Sequence, residues 1–156
     1  METMELSNPN RGLVYDEIRK LWVSATPEEK VRQQLILKMI YKLSYPRELL
    51  SIERSLADLC GVASHRKIPS RRVDITVFAK SSSTLHPLLV IECKESKDLV
   101  EEALTQVRGY NYFIKAPFIT VAHPEGEVFG YLTKEGLSYL PYLPSYEDLL
   151  RAAQNG

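Results

Sequence analysis

Apolar positions recur along this chain with two different periods, and each change of period marks an element. Val31, Leu35, Met39 and Leu43 repeat at helical spacing, which predicts a helix over 26–44. Thr26 fits its N-cap, Pro27 its first helical position, and Glu29 completes a capping box. Tyr45-Pro46 ends it, because the residue before proline is pushed out of the helical region. Residues 49–56 read as a strand and 57–70 as a loop. Residues 72–79 (RVDITVFA) are dense in β-branched side chains and predict a second strand. Residues 80–86 read as a turn. Residues 87–93 (PLLVIEC) form an apolar run without alternation, the pattern of a strand covered on both faces. Leu99, Ala103, Val107 and Tyr110 return to helical spacing, for a helix ending near 114. Strands follow over 117–122 and 128–132, and Ser145 caps a last helix over 146–153. Residues 1–11 read as a flexible terminus, and 12–23 leave helix and strand both open. The pattern predicts one α/β domain over 12–156, built on a single sheet.

Composition narrows the class without changing this picture. The chain has 156 residues, of which 44% are hydrophobic and 26% charged, a soluble average. No apolar stretch approaches the roughly 20 residues of a membrane span, so no membrane partner is expected. Cys60 and Cys93 make neither a disulfide scaffold nor a zinc site. With no visible secretory signal, a cytoplasmic location is expected. Twenty basic residues balance twenty acidic ones, which argues against a nucleic-acid coat protein. The charge is nevertheless segregated. Four cations and no acid lie in 65–72, and five acids against two lysines lie in 92–102.

Three charges sit inside or beside apolar strands, where an uncompensated charge costs several kcal/mol. Asp74 interrupts Val73–Val77, while Glu92 and Lys94 flank Cys93. Residues two apart on a strand share a face, so Glu92 and Lys94 lie together. If the two strands are neighbours, Asp74 joins them. Phosphodiester hydrolysis wants such a group. Paired carboxylates offer hard oxygens to Mg²⁺ (with Mn²⁺ as substitute), and a nearby lysine orients water and offsets transition-state charge. An ordinary ion pair at a solvated strand end explains the same residues. Gln106 and Tyr110, four apart, share a helix face that can turn towards the group; a core tyrosine beside an exposed glutamine is the alternative.

Several blocks taken in order resemble a known family: DEIRKLWV at 16–23, TPEEKVRQQ at 26–34, RRVDITVF at 71–78, LLVIECKES at 88–96 and QVRGYN at 106–111. Together they are similar to the N-terminal nuclease domain of type I restriction enzyme R subunits, within the PD-(D/E)xK nuclease superfamily. The resemblance covers about 13–122. It implies a restriction-endonuclease-like fold, a central mixed β-sheet flanked by helices. It also implies a metal-dependent nuclease, acting on DNA in restriction or repair. Asp74, Glu92 and Lys94 match the catalytic acid, acid and lysine, with the Cys93 backbone carbonyl as a further metal ligand. Gln106 and Tyr110 match the helix motif, and Glu28 or Glu29 is the first-helix acid. Where relatives often have a threonine-asparagine-glycine turn, this chain has Ala122-His123-Pro124. It also lacks a G-x-x-x-x-G-K-[ST] phosphate loop, so the motor of such subunits is not expected here. A protein partner supplying motor or specificity is one expectation, and a homodimer is left open. The alternative is a nuclease-fold module, weak in catalysis, that binds nucleic acid or protein. Arg66, Lys67, Arg71 and Arg72 form the candidate DNA-backbone patch, with Arg32 on the first helix, although each also reads as a solvated surface cation.

Overall fold

The computed structural model describes residues 9–60 and 67–155. A short hairpin comes first, with β1 (Leu13–Asp16) antiparallel to β2 (Leu21–Ser24). Its mixed pattern hid it in the sequence. One face turns Val14 and Asp16 towards the body, and the other leaves Leu13, Tyr15 and Trp22 exposed. Helix α1 (Pro27–Tyr41) follows, with the Thr26 hydroxyl accepting from the Glu29 backbone N–H at 3.1 Å. The cap is therefore as expected. The box is not, because the Glu29 carboxylate turns away to two arginines.

A 3-10 turn (Arg47–Leu49) leads into β3 (Leu50–Ser55). The stretch expected to be a loop begins instead with a one-turn helix, α2 (Leu56–Cys60), too short to show a period. Strands β4 (Arg72–Ser81) and β5 (Thr84–Cys93) are longer than expected. They continue through the serine- and threonine-rich segment, so the hairpin turn shrinks to Ser82 and Ser83. Helix α3 (Val100–Ile114) crosses to β6 (Phe118–His123), and β7 (Gly126–Thr133) follows. Strand β8 (Gly136–Leu140) was not expected, and α4 (Tyr146–Gln154) closes the chain behind its Ser145 cap.

The main sheet has six strands in the order β3-β4-β5-β6-β7-β8. Only the β5–β6 pair is parallel, as the α3 crossover requires. The result is a single α/β domain with a mixed sheet packed against helices. On one face, Ile75, Leu89 and Ile91 meet Leu35, Ile36 and Met39 of α1 and Leu149 of α4. On the other, Val90, Ile119 and Val121 meet Ala103, Val107 and Tyr110 of α3. Covering both faces explains why the β5 run is continuously apolar. Tyr45 donates to the Pro144 carbonyl and Tyr146 to that of Phe78, so the C-terminal tail closes the core. No described helix is long and apolar enough to cross a membrane.

Candidate functional site

Because β4 and β5 pair directly, in antiparallel register with Ile75 opposite Ile91, their charged residues meet at one end of the sheet. Asp74 lies one residue beyond that pair and Glu92 opposite it. The Cys93 backbone N–H donates to Asp74 Oδ2 at 2.7 Å, which fixes the carboxylate between the two strands. Glu92 is 7% exposed, and its Oε2 is buried without a hydrogen-bond partner. Lys94 is half-buried, and its N–H donates to the Ala122 carbonyl, carrying the ladder one step further.

The electrostatics follow from crowding. Burial raises the Asp74 carboxyl above its usual range, and the charge of Glu28 adds to this. The Cys93 N–H, the Arg32 guanidinium and Glu92 pull it back. Glu92 is pushed up to about 8, first by burial, then by the charges of Asp74 and Glu28, against the offset of Lys94. An acid held this high keeps its proton near neutrality, so the metal-free pair carries less than its full negative charge.

Next to the pair lies a cleft of about 290 Å³. Glu28, Glu29 and Arg32 of α1, Asp74 and Cys93 contribute to its wall, as do Arg19, Val23 and Ser24 of the hairpin and Glu53 of β3. Glu92 and Lys94 are not in that wall. The two candidate first-helix acids separate here. Glu28 is exposed in the cleft and acts on both carboxyls. Glu29 is buried and accepts from Arg32 Nε at 2.6 Å, from the Gln33 amide at 3.2 Å and from Arg19 at 3.3 Å. Burial works to raise its carboxyl, but Arg32, Gln33 and Arg19 together hold it below the usual range.

Arg32, expected as a phosphate ligand, is 5% exposed. It is spent on Glu29, on Glu53 at 3.4 Å and on Asp74 at 3.8 Å. This corrects the surface role, since a guanidinium enclosed by three carboxylates does not reach a passing backbone. Gln106 and Tyr110 lie one turn apart on α3. The Gln106 amide donates to the Tyr110 hydroxyl, and the ring is buried in the α3 core. Among the described residues no hydrogen bond joins either to Asp74, Glu92 or Lys94. Lys67, Arg71 and Arg72 are exposed. Arg71 and Arg72 line a hollow of about 470 Å³ at the start of β4, two to three residues from Asp74. Arg66 lies outside the described residues.

Arg19 and Glu53 escaped the sequence reading. Arg19 donates to Asp16 at 2.6 Å and reaches Glu29 and Glu53, at 3.3 and 3.4 Å, across the cleft wall. Glu53 sits at φ +51 between the Ile52–Ile75 and Arg54–Val73 pairs. Both depend on contacts between residues distant in sequence, which no spacing in the chain encodes.

Could these residues hold a cation? Among the described residues no group of three or more histidine, cysteine, aspartate and glutamate side chains is arranged to hold a metal. A divalent ion can also be held by one or two carboxylates and water. The unpartnered Glu92 oxygen and the half-buried Asp74 carboxyl beside it fit that smaller set.

The family model for the type I restriction enzyme R protein N terminus (HSDR_N) matches residues 27–142. The chain belongs to this family. Its match begins at α1, so the hairpin, including the block at 16–23, stands outside it, and it runs past 122 through β7 and β8. Comparison with curated proteins gives no match.

Proposed function

We propose that this chain is a metal-dependent nuclease domain with a restriction-endonuclease-like fold, hydrolysing phosphodiester bonds in DNA. The observation that supports it is the Asp74–Glu92 pair beside Lys94, with a buried Glu92 oxygen that has no partner. Asp74, Glu92 and the Cys93 carbonyl are the groups that would hold Mg²⁺, or Mn²⁺ in its place. When bound, the ion supplies Lewis acidity to the phosphoryl oxygen and lowers the pKa of water. Lys94 orients the attacking water and offsets negative charge in the transition state. Glu28 is the first-helix acid that faces the site. Tyr110, held by Gln106, fixes the α3 face behind β5. Arg71 and Arg72 bind the DNA backbone beside the strand that carries Asp74.

A second reading is a binding module whose cutting depends on a protein partner. The lack of a three-residue metal cluster among the described residues favours it. Cleavage of supercoiled plasmid with Mg²⁺ or Mn²⁺ separates the two. In the first reading wild type cuts, and Lys94→Ala lowers cleavage at least a hundredfold while keeping most of its DNA affinity, because Lys94 acts on the transition state. Wild type that binds DNA and never cuts it moves the second reading into first place.

A further inference from the structure

Outside the family-matched span, the N-terminal hairpin carries an aromatic face that the described residues leave exposed. Tyr15 and Trp22 are cross-strand partners, with ring centroids 5.4 Å apart in an edge-on arrangement. They remain 38% and 49% exposed. Cross-strand pairing accounts for their contact with each other. It does not account for two rings left half in water on a domain that has a core on each side of its sheet.

The surroundings of that face are specific. Leu13 pairs with Ser24 on the same side as Tyr15 and Trp22, and Ser24 is part of the cleft wall. The aromatic face is thus continuous with the cleft. Arg11 and Lys20, at the two ends of the hairpin, are exposed. The hairpin's acids are not available to repel an anion. Asp16 is fully buried against Arg19, and Glu17 is held by Arg47 at 3.0 Å. Paired aromatic rings between cations, with no free carboxylate on the described hairpin, form a stacking platform for unpaired bases on a phosphate backbone.

We infer that the Tyr15–Trp22 face binds a single-stranded DNA segment leading out of the cleft, with bases stacked on the two rings and the backbone between Arg11 and Lys20. This rests on the nuclease reading, because the cleft supplies the rest of the path. Cations alone would bind duplex and single strand alike; the rings demand bases free of their partners. Unpaired ends, frayed duplex and displaced strands are therefore the substrates this face favours.

Trp22 is the only tryptophan in the chain, so its emission reports this face directly. The test titrates full-length protein with a fifteen-nucleotide oligo-dT, without metal, and follows tryptophan fluorescence alongside anisotropy of the labelled strand. The expected result is saturable quenching by the single strand and little by a matched duplex. Trp22→Val and Tyr15→Val should each weaken single-strand binding by on the order of tenfold, while Trp22→Phe keeps it. Thermal melting of each variant shows whether the fold survives; if a valine variant unfolds, the wild-type quenching decides alone. Binding seen by anisotropy without quenching overturns the inference, as does no binding at all or equal quenching by duplex. Plasmid cleavage with Mg²⁺ is measured in parallel. Cleavage without quenching removes the platform and keeps the nuclease reading; quenching without cleavage does the reverse.

Discussion

Glu92 must keep a carboxyl out of water beside a second carboxyl, and its protonation follows from that. Unfolded, it titrates near 4.5; folded, it is pushed up to about 8. Between those values the folded state keeps a proton that the unfolded state has lost. Its contribution to stability is therefore full below pH 4.5 and falls as pH rises towards 8, by up to about 1.4 kcal/mol per pH unit. Asp16 and Glu29 act in the opposite sense, because their carboxyls are held low. Their contribution is present above their unfolded values of 3.8 and 4.5 and is lost as pH falls below them. The two windows are separate, so the metal-free melting temperature should drop from pH 5 to pH 8. Glu92→Gln should flatten the drop, and Mg²⁺ should raise the pH 8 value of wild type only. A level wild-type profile, or an unchanged slope in the variant, contradicts the assignment. Arg32→Ala tests the other side of the cleft. It takes the nearest partner from a buried Glu29, leaving Gln33 and Arg19, and should cost about 2–3 kcal/mol by urea unfolding, whereas a surface phosphate ligand would cost almost nothing. The sequence marked Glu28, Glu29 and Arg32 as residues of interest but could not divide their duties. Capping predicts where the Thr26 hydroxyl goes, and says nothing of two arginines arriving from elsewhere.

Elements with a clear local signal were legible, and those without one were not. Helix α1 shows through its Thr26-Pro27 start, α3 through its helical spacing, and β4, β5 and β6 through apolar or β-branched runs, because both faces of the sheet are covered. Strand β8 has five residues of middling burial, and α2 spans little more than one turn, so neither carries a periodic signal. The β7–β8 pairing leaves its trace in a glycine instead. A Cβ on Gly130 would stand 2.8 Å from Ile119 Cγ1 and 3.2 Å from the Tyr139 ring, and Ile119 is buried with little room to give. Gly130→Ala should therefore destabilise by about 1–3 kcal/mol. Gly109, on an exposed turn of α3, meets nothing within 4 Å. Gly109→Ala should stabilise by about 0.5–1 kcal/mol through helix propensity. Urea midpoints of the two variants moving in the same direction would refute the packing argument for the β7–β8 side of the sheet.

At the scale of the molecule, a net charge of zero means that, under the proposed function, DNA would be met by a patch rather than by the whole surface. Each phosphate contact releases condensed counterions, so the slope of log affinity against log salt counts the cations engaged. Replacing Arg71 and Arg72 together by glutamine should reduce that slope by about one to two units. An unchanged slope would move the backbone contact away from the start of β4. Charge segregation along the chain singled out Arg71 and Arg72 before any fold was known. The hairpin was visible neither as an element nor as a surface. It is held to α1 and β3 through Arg19, an arrangement that exists only once Asp16, Glu29 and Glu53 have been brought together.

The left-handed backbone at Glu53 reaches beyond the cleft. β3 is an outer strand of the six-stranded sheet, and an outer strand offers a row of free backbone groups to any other chain. A residue with φ +51 in its middle bends that row out of line, and the charged Glu53 and Arg54 make it still less welcoming. The opposite border, β8, offers only five residues before Pro141. Fibril-like growth by strand borrowing is thus discouraged at both borders of the six-stranded sheet.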